Sequence, residues 1–145
     1  MKKLLCVGFV SFSILIISGC ATTPTASSSA KGVSSERMYS KDYFIKTDER
    51  NTPVTIIRDG GIWGAACIHR VYINNKKVFA LKPNERATVY LSPQEYEIKV
   101  DLAASSFCPY SQVEEMINLE PNSQHTYRIA STLSVNEALQ LIKVN

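Results

Sequence analysis

Residues 71–100, VYINNKKVFALKPNERATVYLSPQEYEIKV, decide the fold. Apolar and polar residues alternate along four short runs that are rich in β-branched and aromatic side chains, as expected for half-buried strands. The runs are separated by Asn74-Asn75, Pro83-Asn84-Glu85 and Ser92-Pro93-Gln94. Asparagine tolerates positive φ, and proline and serine also favour turns. The stretch therefore predicts consecutive strands joined by short turns.

The same alternation continues on both sides of this stretch. Seven runs indicate strands, at residues 54–59, 69–74, 76–81, 87–91, 96–102, 113–119 and 126–130. A further turn signal, Pro121-Asn122-Ser123, separates the last two runs. Short strands at fairly even spacing predict a small antiparallel β-sandwich.

The C-terminus departs from period two. Residues 134–137, SVNE, have the spacing of a capping box, and Val135, Leu139 and Ile142 lie on one helical face. We therefore predict a short C-terminal helix. The alternative is a last strand through residues 139–144, LQLIKV.

Residues 71–100 resemble the PEGA-type module and related small bacterial lipoproteins of unknown function. The shared pattern is a strand, an ING turn, K-x-V-x-x-L-x-P-G, a strand and L-x-P-G-x-Y, and a looser likeness extends over residues 52–128. Asn75, Asn84 and Gln94 stand where that pattern usually has glycine. The resemblance implies an Ig-like or prealbumin-like sandwich exported to the cell envelope, without catalytic residues.

The N-terminus has the layout of a secretion signal. Lys2 and Lys3 precede an apolar run over residues 4–17. At 1.5 Å per residue a helix of that length reaches about 21 Å, short of the roughly 30 Å of a bilayer core. Residues 17–20, ISGC, resemble the lipobox of bacterial lipoproteins. We predict that residues 1–19 are cleaved and that Cys20 is lipidated; the alternative is an ordinary secretory signal with an incidental cysteine.

Lipidation at Cys20 would hold the protein on a membrane, because several acyl chains on one residue anchor durably. Ala21, rather than aspartate, follows the cysteine, which by resemblance to enterobacterial sorting rules favours the outer membrane. Residues 20–35 are mostly Ser, Thr, Ala, Pro and Gly, and we expect a flexible tether. Residues 36–145 then form one domain.

Two cysteines remain beyond the anchor, Cys67 and Cys108. In an exported domain such a pair is most simply a disulfide. A metal site would combine them with His69 and His125, but the paired C-x-x-C spacing of zinc sites is absent from the sequence. We expect no metal and no other cofactor.

A glycine-rich stretch, residues 58–70 (RDGGIWGAACIHR), contains the only tryptophan. It lacks the lysine and serine of a phosphate-binding loop. One interpretation is a connection between strands that needs unusual backbone angles. The other is that Trp63 is a surface anchor for an interface, with Phe107 and Tyr110 as neighbours across the disulfide.

Net charge and the absence of catalytic motifs limit the classes of function that the sequence supports. The formal charge of +3 falls to +1 once Lys2 and Lys3 are removed with the signal, so nothing favours a nucleic-acid partner. The sequence carries no G-x-S-x-G or H-E-x-x-H motif. The carboxylates in the strand patterns, Glu95, Glu97, Glu114 and Glu115, fit solvated faces or cross-strand pairs.

Three functional hypotheses follow. The first is a non-catalytic accessory protein that binds another envelope protein through the disulfide-linked loops or an exposed sheet edge. The second is an inhibitor, or a receptor for a glycan or small ligand, with Trp63 and Tyr110 as a stacking platform. The third is an envelope hydrolase with an unrecognised carboxylate pair, whose separation only the fold can set.

Overall fold

The computed structural model of the protein describes residues 22–61, 65–102, 108–131 and 139–144. Within these ranges the chain is mainly β and forms two sheets. None of the helices described here has the length and apolarity needed to cross a bilayer. The strands are β1 Lys31–Gly32, β2 Thr52–Arg58, β3 His69–Ile73, β4 Lys76–Leu81, β5 Glu85–Leu91, β6 Glu95–Leu102, β7 Gln112–Asn118, β8 His125–Ser131 and β9 Leu139–Lys143.

The seven predicted strands are confirmed as β2 to β8, and the two facing sheets agree with the predicted sandwich. Sheet A has the order β1-β5-β2-β8-β9, and sheet B has the order β4-β3-β6-β7. Two pairs in sheet A, β1–β5 and β2–β8, are parallel, whereas the prediction was antiparallel throughout. Parallel neighbours need a long crossover, and the chain between β2 and β8 supplies one by forming all of sheet B.

Strand alternation produces the core. In β3, β5 and β6 every second side chain is buried between the sheets. Phe79 on β4 is also fully buried and meets Phe44 edge to face, with 5.9 Å between ring centroids. The side chains with at most 1% exposure include Val54, Ile56, Val71, Ile73, Leu81, Val89, Leu91, Ile98, Val100 and Ile129.

Asparagines make most of the tight turns. Asn74 and Asn75 join β3 to β4 with φ of 46° and 63°, the pattern of a type I′ hairpin turn. Asn84 and Asn122 also have positive φ, each 60°. These turns confirm the predicted turn residues. Gln94, by contrast, makes its turn without a positive φ.

The predicted C-terminal helix is wrong for Leu139 and Ile142. Both lie in β9, which pairs antiparallel with β8 from Ser131↔Leu139 to Tyr127↔Lys143. The alternative strand is therefore the one the structure shows. Pairing with β8 buries Leu139 to 5% exposure and outweighs the local helix signal. The capping box and Val135 lie outside the described residues.

Residues 22–33, which lie within the predicted tether and which we call the N-terminal strap, pair with the domain. Thr23 and Gly60 exchange two main-chain hydrogen bonds of 2.9 and 3.0 Å. Farther on, β1 pairs with β5, and Val33 donates its N–H to Arg86 O at 2.9 Å. These residues bury little apolar surface, but their main-chain groups pair with an open strand edge.

The chain after the strap covers the neighbouring edge of sheet B. It contains two short 3-10 helices, Ser35–Arg37 and Lys41–Phe44. The N–H groups of Tyr39 and Ser40 donate to Val78 O at 2.8 and 3.1 Å, where β4 carries a bulge. One side of the sandwich, formed by β5 and β4, is therefore covered by residues 22–40.

Candidate functional site

The predicted disulfide is present. Cys67 and Cys108 are bonded with 5.7 Å between their Cα atoms, and they are 4% and 5% exposed. The bond links the β2–β3 connection to the β6–β7 connection at one end of the sandwich. Cys20, Trp63 and Phe107 lie outside the described residues.

Tyr110 is the described member of the predicted aromatic group. Its side chain is 61% exposed, two positions after Cys108. The hydroxyl donates a hydrogen bond to Gln112 Oε1 at the start of β7. Tyr110 is thus a surface aromatic beside the disulfide, as an interface anchor requires.

A buried arginine that no sequence pattern indicates supports the disulfide from inside. Arg58 is 2% exposed, and its guanidinium donates to Cys67 O at 2.5 Å and to Leu81 O at 2.9 Å. Burial lowers its pKa to about 10. Because these donors bind main-chain carbonyls, Arg58 fixes the cysteine-bearing connection to β4.

The two histidines lie near opposite ends of β8, because His125 begins that strand and His69, on β3, approaches Ser131 at its other end. The His69 ring is 3.5 Å from Ser131 Oγ, and the His125 ring is 2.8 Å from Ser123 Oγ. A strand of that length separates them by about 20 Å. The cysteines of the considered metal set are joined to each other, and the described residues hold no group of three or more His, Cys, Asp or Glu placed to bind a metal.

His69 is held in its neutral form. It is 1% exposed, and burial together with the charge of Arg58 lowers its pKa to about 3. Its Nδ1 has no hydrogen-bond partner among the described residues. The neutral imidazole therefore packs in the core like an apolar side chain, and one of its nitrogens faces Ser131.

A second polar cluster holds the strap. The Asp59 side chain is fully buried, and its Oδ1 accepts from Arg128 Nε at 2.9 Å and from the Thr25 N–H at 3.1 Å. The hydrogen bonds that Arg128 donates to the Asp59 carboxylate raise the pKa of the guanidinium. Thr25 Oγ1 in turn donates to Asn84 Oδ1 at 2.9 Å and accepts from the Gly60 N–H at 3.0 Å.

This close packing leaves no room for a side chain at Gly60 unless the Asn84 side chain moves. A Cβ at this position would lie 2.4 Å from Asn84 Oδ1. The sequence showed a glycine-rich stretch at this point but not its reason, because Thr25 and Asn84 are remote in the chain. The cluster joins the strap, the end of β2 and the β4–β5 turn.

The other side of the sandwich ends in β7 and β9, which are outermost in their sheets. In an antiparallel pair, hydrogen-bonded and non-hydrogen-bonded positions alternate. The Leu102 N–H donates to Ser111 O and the Leu119 N–H donates to Gln94 O, so odd-numbered residues of β7 bond to β6. The main-chain groups of Gln112, Glu114, Met116 and Asn118 therefore point away from the sheet, and we call them the β7 edge.

A groove separates β7 from β9, and we call it the open seam. It is lined on the β7 side by Val113, Glu115, Met116, Ile117 and Asn118, and on the other side by Tyr127 and residues 139–143. Glu115 is exposed and faces both ends of the groove, and it makes no hydrogen bond or ion pair with any described residue. Burial and the charge of Glu115 raise the pKa of Tyr127.

The two outermost strands of sheet B, β4 and β7, carry opposite charges. On the covered side, Lys77 lies 4.1 Å from the centre of the Tyr39 ring, and Lys76 lies 5.0 Å from that of Tyr43. These ammonium groups are held by cation–π contacts. On the open side, β7 carries Glu114 and Glu115 and no basic residue.

Comparison with known proteins finds no matching family model, and no curated protein or solved structure that is similar to the chain. The features available for a functional proposal are therefore those of the molecule itself: the disulfide-linked end with Tyr110, the strap cluster, and the open seam with its β7 edge.

Proposed function

We propose that this protein is a lipid-anchored, non-catalytic envelope protein that serves as an interaction module for another envelope protein. The observation that carries the proposal is the difference between the two sides of the sandwich. Unpaired strand edges invite association, and proteins usually cover or blunt them. Here residues 22–40 cover β5 and β4, while among the described residues nothing pairs with the β7 edge.

The anchor rests on sequence. Residues 17–20, ISGC, follow an apolar run and two lysines, as in lipoprotein precursors. The Cys67–Cys108 disulfide supports export, because disulfides persist in oxidising compartments. The resemblance of residues 71–100 to PEGA-type modules points to the same compartment, and Ala21 favours the outer membrane.

The strap limits the orientation of the domain relative to the membrane. Thr23 is hydrogen-bonded to Gly60, so the predicted lipid site at Cys20 lies within about 11 Å of Thr23 at 3.8 Å per residue. The anchor would hold the domain against the membrane surface in a restricted orientation. The open seam would then face in a limited range of directions, which suits recognition of a neighbouring envelope protein.

Site-specific photocrosslinking in intact cells tests this function. A photoreactive residue is placed at position 116 on β7, at 110 beside the disulfide and at 63 in the glycine-rich stretch, with position 76 on the covered side as the control. One envelope protein captured at 116, 110 or 63, and not at 76, supports the proposal. Capture at no position, or equal capture at all four, contradicts it.

A second candidate function is a ligand-binding platform beside the disulfide. The observation that favours it is the exposure of Tyr110, 61%, next to a rigid covalent link. In that case Tyr110→Ala weakens binding of a glycan or other small ligand in a screen, while Tyr110→Phe retains the ring and the binding. Failure of either variant to behave in this way excludes a stacking role for Tyr110.

A further inference from the structure

We propose that the β7 edge and the open seam receive one extended segment of the partner protein as an added strand, with a lysine or arginine of that segment facing Glu115. This inference rests on the proposed function and names the surface and the chemistry of the partner. It follows from the main-chain pattern of β7, the lining of the seam and the charge of the edge.

The main chain supplies the first part. Four alternate residues of β7 present N–H and C=O groups that no described residue satisfies within a ladder. Such a row pairs readily with an extended peptide, as in other cases of strand addition. The strand is long enough for this purpose, because β7 spans Gln112–Asn118.

The seam supplies the second part. Side chains of an added strand that point toward the molecule would lie over the groove, where Val113, Ile117 and Leu141 offer apolar contacts. Alternating apolar residues in the partner would bury against them. Lys143 lines the end of the groove near Tyr127. The basic residue of the partner therefore belongs beside Glu115 on the side of Leu139, away from Lys143.

Charge identifies the occupant as a different chain. Two copies joined antiparallel through β7 would place four carboxylates, Glu114 and Glu115 of each copy, in one ladder, where like charges destabilise pairing. Lys99 lies opposite Glu114 across β6, but its ammonium group is engaged by Asn75 Oδ1 at 3.1 Å and by the Tyr72 ring. A basic segment complements this edge, and a second copy does not.

Defined peptides test the inference on the full chain, purified in detergent. One peptide of about eight residues alternates valine with polar residues and carries a central inward lysine, and the matched peptide carries glutamate instead. The lysine peptide should slow hydrogen exchange in residues 112–118 and bind about two- to fivefold more tightly than the glutamate peptide. Glu115→Lys should reverse that preference, and Glu115→Gln should abolish it.

A proline variant tests the main-chain part. Glu114→Pro removes an N–H that points away from β6, so the ladder with β6 remains intact. It should weaken the lysine peptide at least about fivefold relative to Glu114→Ala, which removes the same charge. Circular dichroism of both variants establishes that they are folded.

Three outcomes overturn the inference. They are absence of exchange protection in residues 112–118 with millimolar lysine peptide, equal affinity for the two peptides, and self-association that Glu114→Pro disrupts. If photocrosslinking still captures a partner through position 110 or 63, the interaction function stands and only the β7 assignment fails. If no position captures a partner, the proposed function itself fails, whatever the peptides do.

Discussion

Asn84 combines two tasks at one residue. Its φ of 60° allows the β4–β5 turn. Its side-chain oxygen accepts a hydrogen bond from the Thr25 hydroxyl. Glycine would adopt the backbone angle with less strain but could not make the hydrogen bond. The asparagine therefore connects the turn to the N-terminal strap.

Two substitutions of Asn84 separate these tasks. Asn84→Gly loses only the hydrogen bond, at a cost of about 1 kcal/mol, whereas Asn84→Ala adds left-handed strain of about 1–2 kcal/mol. Urea unfolding followed by circular dichroism should rank the proteins as wild type, then Gly, then Ala. Equal stability of the two variants would show that the turn relaxes and stores no strain.

His69 gives stability a pH dependence. Its pKa of about 3 in the folded protein lies below the value near 6.5 of an unfolded chain. As the pH falls below 6.5, protons bind the unfolded state in preference, so stability is full above that pH and decreases from there toward pH 3. Between pH 7 and 5 the expected loss from this group is up to about 2 kcal/mol, at about 1.4 kcal/mol per pH unit.

To isolate the effect of His69, the urea concentration at the unfolding midpoint is measured against pH for the wild type and for His69→Leu, and the two slopes are compared. The variant removes this titration but retains His125, whose pKa is also lowered, by burial and by Lys143. The wild type should lose stability more steeply than the variant over this range. Parallel slopes would mean that His69 takes up a proton in the folded state.

The elements of the central sandwich could be predicted, because β2 to β8 are each a short run rich in β-branched and aromatic residues and the tight turns between them carry turn-forming residues. The strap and β9 could not. The strand β1 has two residues and no pattern, and β9 follows a capping box whose local signal is overruled by pairing with β8. In both cases the partner strand is remote in sequence. The buried Arg58 and Asp59 were missed for the same reason, since the groups that hydrogen-bond to them come together only after folding.

The strap should behave as a unit of lower stability than the sandwich. Thr25→Ala removes two hydrogen bonds at its centre, and the expected cost is about 1–2 kcal/mol. Exchange of the Lys31 and Val33 amides should accelerate about tenfold, while the Val100 amide in the core exchanges as before. Ser27→Ala, an exposed change in the same strap, serves as the control. An unchanged rate at Lys31 would show that Thr25 does not hold the strap.

The disulfide should stabilise the end of the sandwich where it links the β2–β3 and β6–β7 connections. Its two cysteines are 41 positions apart, and on the chain-entropy model a loop of that size contributes up to about 4 kcal/mol. The double variant Cys67→Ala/Cys108→Ala should unfold at lower urea by about 2–4 kcal/mol. Wild type treated with reductant is the matched sample, and a variant as stable as the oxidised protein would contradict the expectation.

At the scale of the whole molecule, the N-terminal and C-terminal parts of the described chain differ in how far they cover the sheet edges. The N-terminal residues cover β5 and β4, and the C-terminal strand β9 lies beside β7 without closing the seam. Sequence could predict a sandwich, and the lipid anchor stays a prediction from sequence. It could not predict which side remains open, because that depends on where the strap lies.

The anchor is tested on the intact protein. Cys20→Ser should abolish incorporation of a labelled fatty acid and move the protein from the membrane to the soluble fraction. Cys67→Ala/Cys108→Ala should remain lipidated and membrane-bound, which controls for a general effect of removing cysteines. Membrane retention of Cys20→Ser would show that another feature holds the protein in place.

Because the strap is docked on the domain, its release would lengthen the connection between the domain and the proposed lipid. If Cys20 carries the proposed lipid, tension between the membrane and a bound partner acts first on the Thr23–Gly60 hydrogen bonds and then on those of Thr25. Release of residues 22–33 would add about 40 Å of extended chain at about 3.4 Å per residue. With the proposed lipid anchor, the domain would have two heights above the bilayer, and load on the strap would select between them.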